Sequence, residues 1–350
     1  MKTHIYDFDL AQWQEYLRTK GYPAYRARQI FEWLHRHMVS SPQECHNLPT
    51  ELRQLLEEEF HWPGGEEIRS LQSSDGTVKF LIAFSQRKVI ETVWLPYPNR
   101  QSLCVSVQAG CSLNCRFCAT GKIPFGGNLT TGEILTQFYL TQRTMQKKVT
   151  NVVFMGMGEP FYNYEATIKA AFLMHSTLGQ SVGARHITIS TAGVLPAVER
   201  FYQEKNPFGL ALSVHAVFPE KRREIMDIEK KYPLQDLLKV LRQYRDRIRK
   251  NRFTFEYIMI RKFNMYREDA QKLAELAREF RAKINLIPLH TRFYGMEPPS
   301  EEEQNLFFKW LYEEGVLARN RRSPGKDIEA ACGMLAAGKL QTNLLASLIQ

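Results

Sequence analysis

From about residue 100 onward, short apolar runs alternate with long amphipathic segments, and this alternation constrains the fold more than any other feature. The apolar runs are 103–107, 152–155, 186–190, 210–214, 253–260 and 284–289. Between most of them the chain carries enough helical pattern for a crossover, as at 130–140, where Thr130 and Glu133 stand at capping-box spacing. Strands joined by crossover helices pair in parallel, with helices covering the sheet. Six or seven such units are too few to close an eight-stranded barrel. The pattern therefore predicts an α/β chain with an open, partial (β/α)6-type barrel, and chemistry at the C-terminal ends of its strands.

The loop after the first of these strands reads Cys111-Ser-Leu-Asn-Cys115-Arg-Phe-Cys118, three of the six cysteines within eight residues. Three thiols on one short loop cannot all pair with one another. Structural zinc wants four ligands in a closed tetrahedron, and no fourth Cys or His follows nearby. A 4Fe–4S cluster on three cysteines leaves one iron without a protein ligand, free to bind a small molecule. Two readings stay open on spacing alone: such a cluster, or a zinc loop completed by a distant His. The C-x3-C-x2-C spacing, with Phe117 before the last Cys, resembles the signature of radical S-adenosylmethionine (SAM) enzymes. That resemblance implies Cys111, Cys115 and Cys118 as ligands of a 4Fe–4S cluster. It implies SAM as the molecule on the open iron, where an electron cleaves it to a carbon radical.

The 350 residues suffice for one large domain with an appendage, or for two ordinary ones. No apolar run approaches the ~18 residues of a membrane helix, and the N-terminus has no signal-peptide pattern. A cytoplasmic protein with no membrane contact is expected, and bunched cysteines do not suit a secreted disulfide framework. The net charge of +10 favours a polyanionic partner. Basic residues crowd 242–252 and 319–326, each stretch readable as a solvated face or a nucleic-acid contact. Residues 1–62 read as a helical domain: Leu10, Trp13, Tyr16 and Leu17, then Ala27, Ile30, Phe31 and Leu34, recur at helical spacing. A third helix starts at Pro49-Thr50. Arg26, Arg28, Arg36 and two histidines on or beside the second helix suit phosphate contact or an ordinary capping bundle. Residues 63–98 carry two β-rich runs, 78–84 and 89–95, expected as a hairpin extension. The core is expected over 99–335, and 336–350 as one short terminal helix.

Further candidates sit at the strand ends. Met155-Gly-Met-Gly-Glu-Pro160 follows the second core strand; Gly158 lets a ligand approach, and Glu159 can accept bonds from an ammonium group. Ser190, and the run Ser213, Val214 and His215, offer hydroxyls and an imidazole suited to ribose and carboxylate. Taken alone, each of these reads more readily as a satisfied turn residue. Cys104, on the strand leading into the cluster loop, and Cys332, in Asp327-Ile-Glu-Ala-Ala-Cys-Gly333, read from composition as small buried hydrophobes, like Cys45.

Taken in order, Cys104-Val-Ser-x-Gln-x-Gly-Cys111, the cluster loop, Met-Gly-Met-Gly-Glu-Pro, Ile-Ser-Thr-x-Gly, Ser-Val-His, Glu-Tyr-Ile-Met, Ile-Asn-Leu-Ile-Pro and Asp-Ile-x-Ala-Ala-Cys-Gly resemble the RlmN/Cfr family of radical SAM RNA methyltransferases. The resemblance spans about residues 5–335. It implies an adenosine substrate, in 23S rRNA at the peptidyl transferase centre or in tRNA beside the anticodon. The methylated carbon is C2 in one branch and C8 in the other; C2, the housekeeping product, is expected. By the same resemblance Cys332 carries a methyl from one SAM, the radical from a second SAM activates that methyl, and Cys104 resolves the adduct through a transient disulfide. Glu91, in Val89-Ile-Glu-Thr-Val, matches the base that takes the ring proton. Flanked by Val89, Val93 and Leu95, its carboxyl is expected to be poorly solvated; an exposed Glu on an edge strand is the other reading. The SAM contacts carried over are Gly158, Glu159, Ser190, Ser213, Val214, His215 and the position of His290. At that position the family has Asn, so this chain departs from the pattern there. A flavodoxin or ferredoxin as electron donor and a monomeric state complete the expectation. The competing functions are a radical SAM enzyme acting on another nucleic acid or a small molecule, and a non-enzymatic basic module with a metal-stabilised loop.

Overall fold

A computed structural model describes residues 2–63, 67–85, 88–250, 252–290, 295–320 and 324–335. One ten-stranded sheet runs through the molecule. Its strands, in chain order, are β1 (Glu67–Gln72), β2 (Val78–Ser85), β3 (Lys88–Tyr97), β4 (Arg100–Cys104), β5 (Asn151–Phe154), β6 (Ile187–Thr191), β7 (Gly209–Ser213), β8 (Phe253–Met259), β9 (Lys283–Pro288) and β10 (Ala318–Asn320). Spatial order equals chain order, with β1 and β10 at the two ends. Pairing from β4 through β10 is parallel, and β1 to β4 pair antiparallel. The predicted parallel units are thus present as β4 to β9, with a short seventh strand, β10. The sheet does not close among the described residues, in keeping with the open barrel.

The expected hairpin is β2–β3, but it is not a free-standing appendage. β3 pairs with β4, Val93 opposite Cys104, so the extension continues the core sheet. The strand β1 was not foreseen; Glu67–Gln72 has little apolar alternation to announce it. The N-terminal unit contains the three expected helices, α1 (Leu10–Thr19), α2 (Tyr25–His35) and α3 (Thr50–Glu59). Their buried faces are Trp13 and Leu17, then Ala27, Ile30, Phe31 and Leu34, then Leu52 and Leu56, as the 3.6-residue period requires.

This unit docks on α4 (Thr131–Met145), whose N-terminus carries the capping box read from Thr130 and Glu133. Asp7 accepts from the Gly132 amide at 2.6 Å, giving α4 a carboxylate from outside its own element. His35 is buried and its Nδ1 lies 2.7 Å from the Tyr139 hydroxyl on α4. One of the two histidines read as phosphate contacts therefore faces inward as a docking residue. The basic run at 242–252 is partly spent on internal pairs: Arg242 and Arg245 both bind Glu279. The helix expected over 336–350 lies outside the described residues. None of the described helices is long and apolar enough to cross a membrane.

Candidate active site

A cleft opens at the C-terminal ends of the parallel strands, where the barrel rule puts chemistry. Phe154 and Met155 of the β5 end, Ser190 and Ala192 of the β6 end, Ser213 and His215 of the β7 end, and Glu256, Ile258 and Ile287 of β8 and β9 form its floor and walls. Cys111, Cys115 and Cys118 line one side, with Cys332 and Gly333 beside them. Residues from across more than two hundred positions thus meet in one cleft.

The cysteine loop fits a cluster by its chemistry. Burial pushes the Cys111 thiol up to about 12 and the Cys115 thiol well above its usual range, and the neighbouring sulfurs push the same way. Thiols this hidden and this close stay protonated by themselves; a bound metal would supply the positive charge that turns them into thiolates. The Leu113 amide donates to Cys111, the kind of bond that supports cluster sulfurs. Among the described residues no three Cys, His, Asp or Glu side chains converge on a point for a single metal ion. A cluster takes one thiolate per iron, so its ligands need not converge.

The Met-Gly-Met-Gly-Glu loop is built by close backbone contact. A Cβ on Gly156 would lie 2.6 Å from Ser106 Oγ, and one on Gly158 would lie 2.5 Å from Gln108 Cβ. Gly158 also has φ +96°, the left-handed region. In this structure the glycines let the loop pack on the segment 105–108 that leads to the cluster loop. The Met157 and Glu159 amides donate to Ser106 and Gln108 at 2.8 and 2.9 Å. Glu159 is buried in the cleft wall, and burial raises its pKa, while the amides of Ala192 and Phe161, at 2.8 and 3.0 Å, work against that shift. The Thr191 hydroxyl adds a third bond to the carboxylate, which leaves about one acceptor position for a ligand.

His215 sits at φ +58°, uncommon for a side chain of its size, and its turn is heavily tied. Its Nδ1 accepts from the Ile258 amide at 3.1 Å, and its carbonyl accepts from Asn264 at 2.7 Å. Its ring meets Phe117 edge-on, centroids 4.7 Å apart. Burial and then Arg222 hold its pKa near 3, so it is neutral at pH 7. Val214 contributes backbone only: its side chain is buried away from the cleft, while its carbonyl accepts from Arg222 at 3.1 Å. His290 is not brought into the cleft. It follows the end of β9 and lines a neighbouring cavity with Tyr97, Gln304 and Lys326, where burial and then Lys326 lower its pKa to about 4.

Glu91 is fully buried on β3, an interior strand between β2 and β4, so the edge-strand reading does not hold. Val89, Val93 and Leu95 are buried beside it, as expected. The register sets what shares its face. Lys79 of β2 is opposite Val93, and Val93 is opposite Cys104 of β4. Glu91, two residues from Val93, therefore points to the same side as Lys79 and Cys104. Lys79 Nζ lies 3.3 Å from Glu91 and donates to the Glu329 carbonyl at 3.4 Å. The chain leading to Cys332 thus lies over the face that carries Glu91 and Cys104. Cys104 is buried and Cys332 half-buried. Lys79 was missed in the sequence; its signal is a lone cation inside the apolar run Val78-Lys-Phe-Leu-Ile.

Comparison with known proteins agrees with this geometry. The Radical SAM superfamily model matches residues 105–277, and the ribosomal RNA large subunit methyltransferase N-terminal domain matches residues 3–61. A probable dual-specificity RNA methyltransferase RlmN from Leptospira interrogans is 41% identical over 332 residues, covering 94% of both chains. One from Gemmatimonas aurantiaca is 41% identical over 346 residues, 97% of this chain and 95% of that one. The crystal structure of a radical SAM methyltransferase from Sphaerobacter thermophilus superposes with a TM-score of 0.90 at 38% identity, covering 96% of this chain and 99% of that one. The chain belongs to the RlmN family of radical SAM RNA methyltransferases.

Proposed function

We propose that this enzyme methylates C2 of an adenine in 23S rRNA and in tRNA, through a methyl carried on Cys332. The observation that carries the reading is the bond from Lys79 to the Glu329 carbonyl, which ties the Cys332 segment over the face bearing Glu91 and Cys104. C2 of adenine is electron-poor, so it does not accept a methyl cation equivalent directly. Cys111, Cys115 and Cys118 hold a 4Fe–4S cluster, and Gly158, Glu159, Ser190, Ser213 and His215 hold SAM beside it. When bound, the cluster and SAM supply one electron and a carbon radical that removes a hydrogen atom from a methyl group.

The remaining steps belong to side chains of this chain. The Cys332 thiolate attacks the methyl carbon of one SAM and becomes a thioether, and S-adenosylhomocysteine leaves with the electron pair of the broken bond. After hydrogen removal the methylene joins C2, and the cluster, when bound, would accept the one surplus electron. Glu91 takes the ring proton from C2. The Cys104 thiolate then attacks the Cys332 sulfur; the S–C bond breaks, its electron pair stays with carbon, and a proton completes the methyl. A disulfide between Cys104 and Cys332 remains, to be reduced by two electrons from a cellular dithiol. The enzyme works as a monomer in the cytoplasm, with a flavodoxin or ferredoxin as electron donor.

The test separates the two cysteines. Cys104→Ala forms the methylene bridge without resolving it, so denaturing gels of protein expressed with its RNA show a slow, RNase-sensitive species. Cys332→Ala has nothing to methylate and shows none. The same species in Cys332→Ala, or its absence in Cys104→Ala, overturns the assignment.

A further inference from the structure

A second cavity lies at the opposite end of the barrel, around the N-terminal ends of the parallel strands. Arg100 begins β4, Arg185 and His186 precede β6, Arg252 precedes β8, Lys283 begins β9, and Arg319 lies on β10; all six line this cavity. None of its five Arg and Lys side chains forms an ion pair with a described residue. Arg100 stacks on the Tyr97 ring, 4.3 Å from its centroid, which fixes the guanidinium without neutralising it. The one acid among the lining residues is Glu256, which is buried at the deep end and accepts from Asn285 at 2.8 Å.

A solvated barrel rim ordinarily mixes both signs of charge, because like charges in one concavity repel and field lines concentrate there. Here the crowding is felt: the pKa of Lys283 is lowered by partial burial and then by Arg319 and Arg252. A fold that gathers five cations around one mouth, with a single buried carboxylate among the lining residues, leaves room for an anionic ligand. We propose that this cavity binds a compact polyphosphate anion, inorganic pyrophosphate or the di- or triphosphate of a nucleotide.

Shape favours a small anion over an RNA strand. The cations lie around the N-terminal ends of the strands, whereas RNA placed for methylation enters at the C-terminal ends. The apolar walls, Leu95 and Val153, lie behind the charged rim and suit the organic part of a nucleotide. Met155 and Glu256 line both this cavity and the catalytic cleft, so a ligand below sits against the same two side chains as the site above.

The measurement is isothermal titration of the full chain, cluster loaded, with pyrophosphate, ATP, AMP and a short RNA. Pyrophosphate and ATP should bind at one site, AMP more weakly, and saturating S-adenosylhomocysteine in the cleft should leave the pyrophosphate affinity unchanged. The paired substitution Arg252→Gln with Arg319→Gln should weaken pyrophosphate binding at least about tenfold, since each removes a charge-assisted bond. If melting shows that the pair disturbs the fold, Arg185→Gln alone, at an exposed site, makes the same comparison. The proposal fails if neither polyphosphate binds, or if the variants bind as the parent does. It fails equally if the variants weaken only RNA, which would make the cavity an RNA contact.

Discussion

Lys79 and Glu91 form a buried ion pair directly under the segment that carries Cys332, and both groups are nearly inaccessible to water. In such a place each charge offsets the desolvation of the other, and removing one partner is costly, about 3–5 kcal/mol. Lys79→Met should therefore lower the melting temperature while leaving iron content intact, because the cluster loop lies on another element. Mass spectrometry should still find the methyl on Cys332, since that transfer needs no base. RNA methylation should fall about a hundredfold or more if Glu91 is the base. Lys79→Arg, which keeps the charge, should recover part of the rate. Unchanged methylation in Lys79→Met would remove Glu91 from the chemistry. Other residue-scale features were legible only in part: the spacing of Cys111, Cys115 and Cys118 was local and readable, whereas the role of Gly158 in packing on Gln108 depends on a contact fifty residues away.

At the scale of elements, the helical unit is held to the core through α4, and Gly132 is a point of close approach. A Cβ there would fall 2.2 Å from His4 Nδ1, inside a ring that is itself buried. Alanine would gain roughly 1 kcal/mol of helix propensity, but two atoms cannot share that space, and overpacking costs about 1–3 kcal/mol. Gly132→Ala should thus be destabilising despite the better helix former, as denaturant titration would show. The same interface should loosen in acid. Burial holds both His4 and His35 near 3, below the usual 6.5 of an exposed imidazole. Between these values the unfolded or undocked chain binds protons that the docked one does not, so stability falls as pH drops from about 6.5 towards 3. Limited proteolysis between residues 62 and 78 as a function of pH would report it, and a flat profile would contradict the burial argument. The three helices, their apolar faces and the capping box at Thr130 were readable because their period is local. The inward turn of His35 was not, since a histidine on an amphipathic helix carries no mark of which side it takes. Nor was the joining of β3 to β4 into one sheet, because antiparallel register is fixed by partners rather than by either strand.

Across the whole molecule, the chain closes on itself through the segment that ends at residue 335. Ser73 donates to Asp327 at 2.6 Å, the Gly325 amide to Asp75 at 2.9 Å, and Lys79 to the Glu329 carbonyl. On the other side the Ala119 amide donates to the Gly333 carbonyl at 2.8 Å, and Thr120 to that of Leu335 at 2.7 Å. Cys332 is therefore slung between the antiparallel extension and the cluster loop, with anchors roughly 250 residues distant in sequence on one side. No local pattern announces such a clamp; the sequence motif around Cys332 was legible as a family resemblance and not as a place in space. The proposed chemistry of Cys104 and Cys332 calls for such a clamp, because two sulfurs on different elements react only if they are held within reach. Removing Asp75 and Asp327 together, as Asp75→Ala with Asp327→Ala, takes away the extension-side carboxylates and leaves the cluster side untouched. Iron content and SAM binding should stay at the parent level. Hydrogen exchange over residues 325–333 should quicken, because two of its anchors are gone. In a Cys104→Ala background the RNA-linked species should then form more slowly, since the methyl on Cys332 visits its reactive position less often. An adduct rate equal to that of Cys104→Ala alone would mean that the cluster-side bonds and the Lys79 tie suffice to position Cys332, and that the two carboxylates add nothing to it.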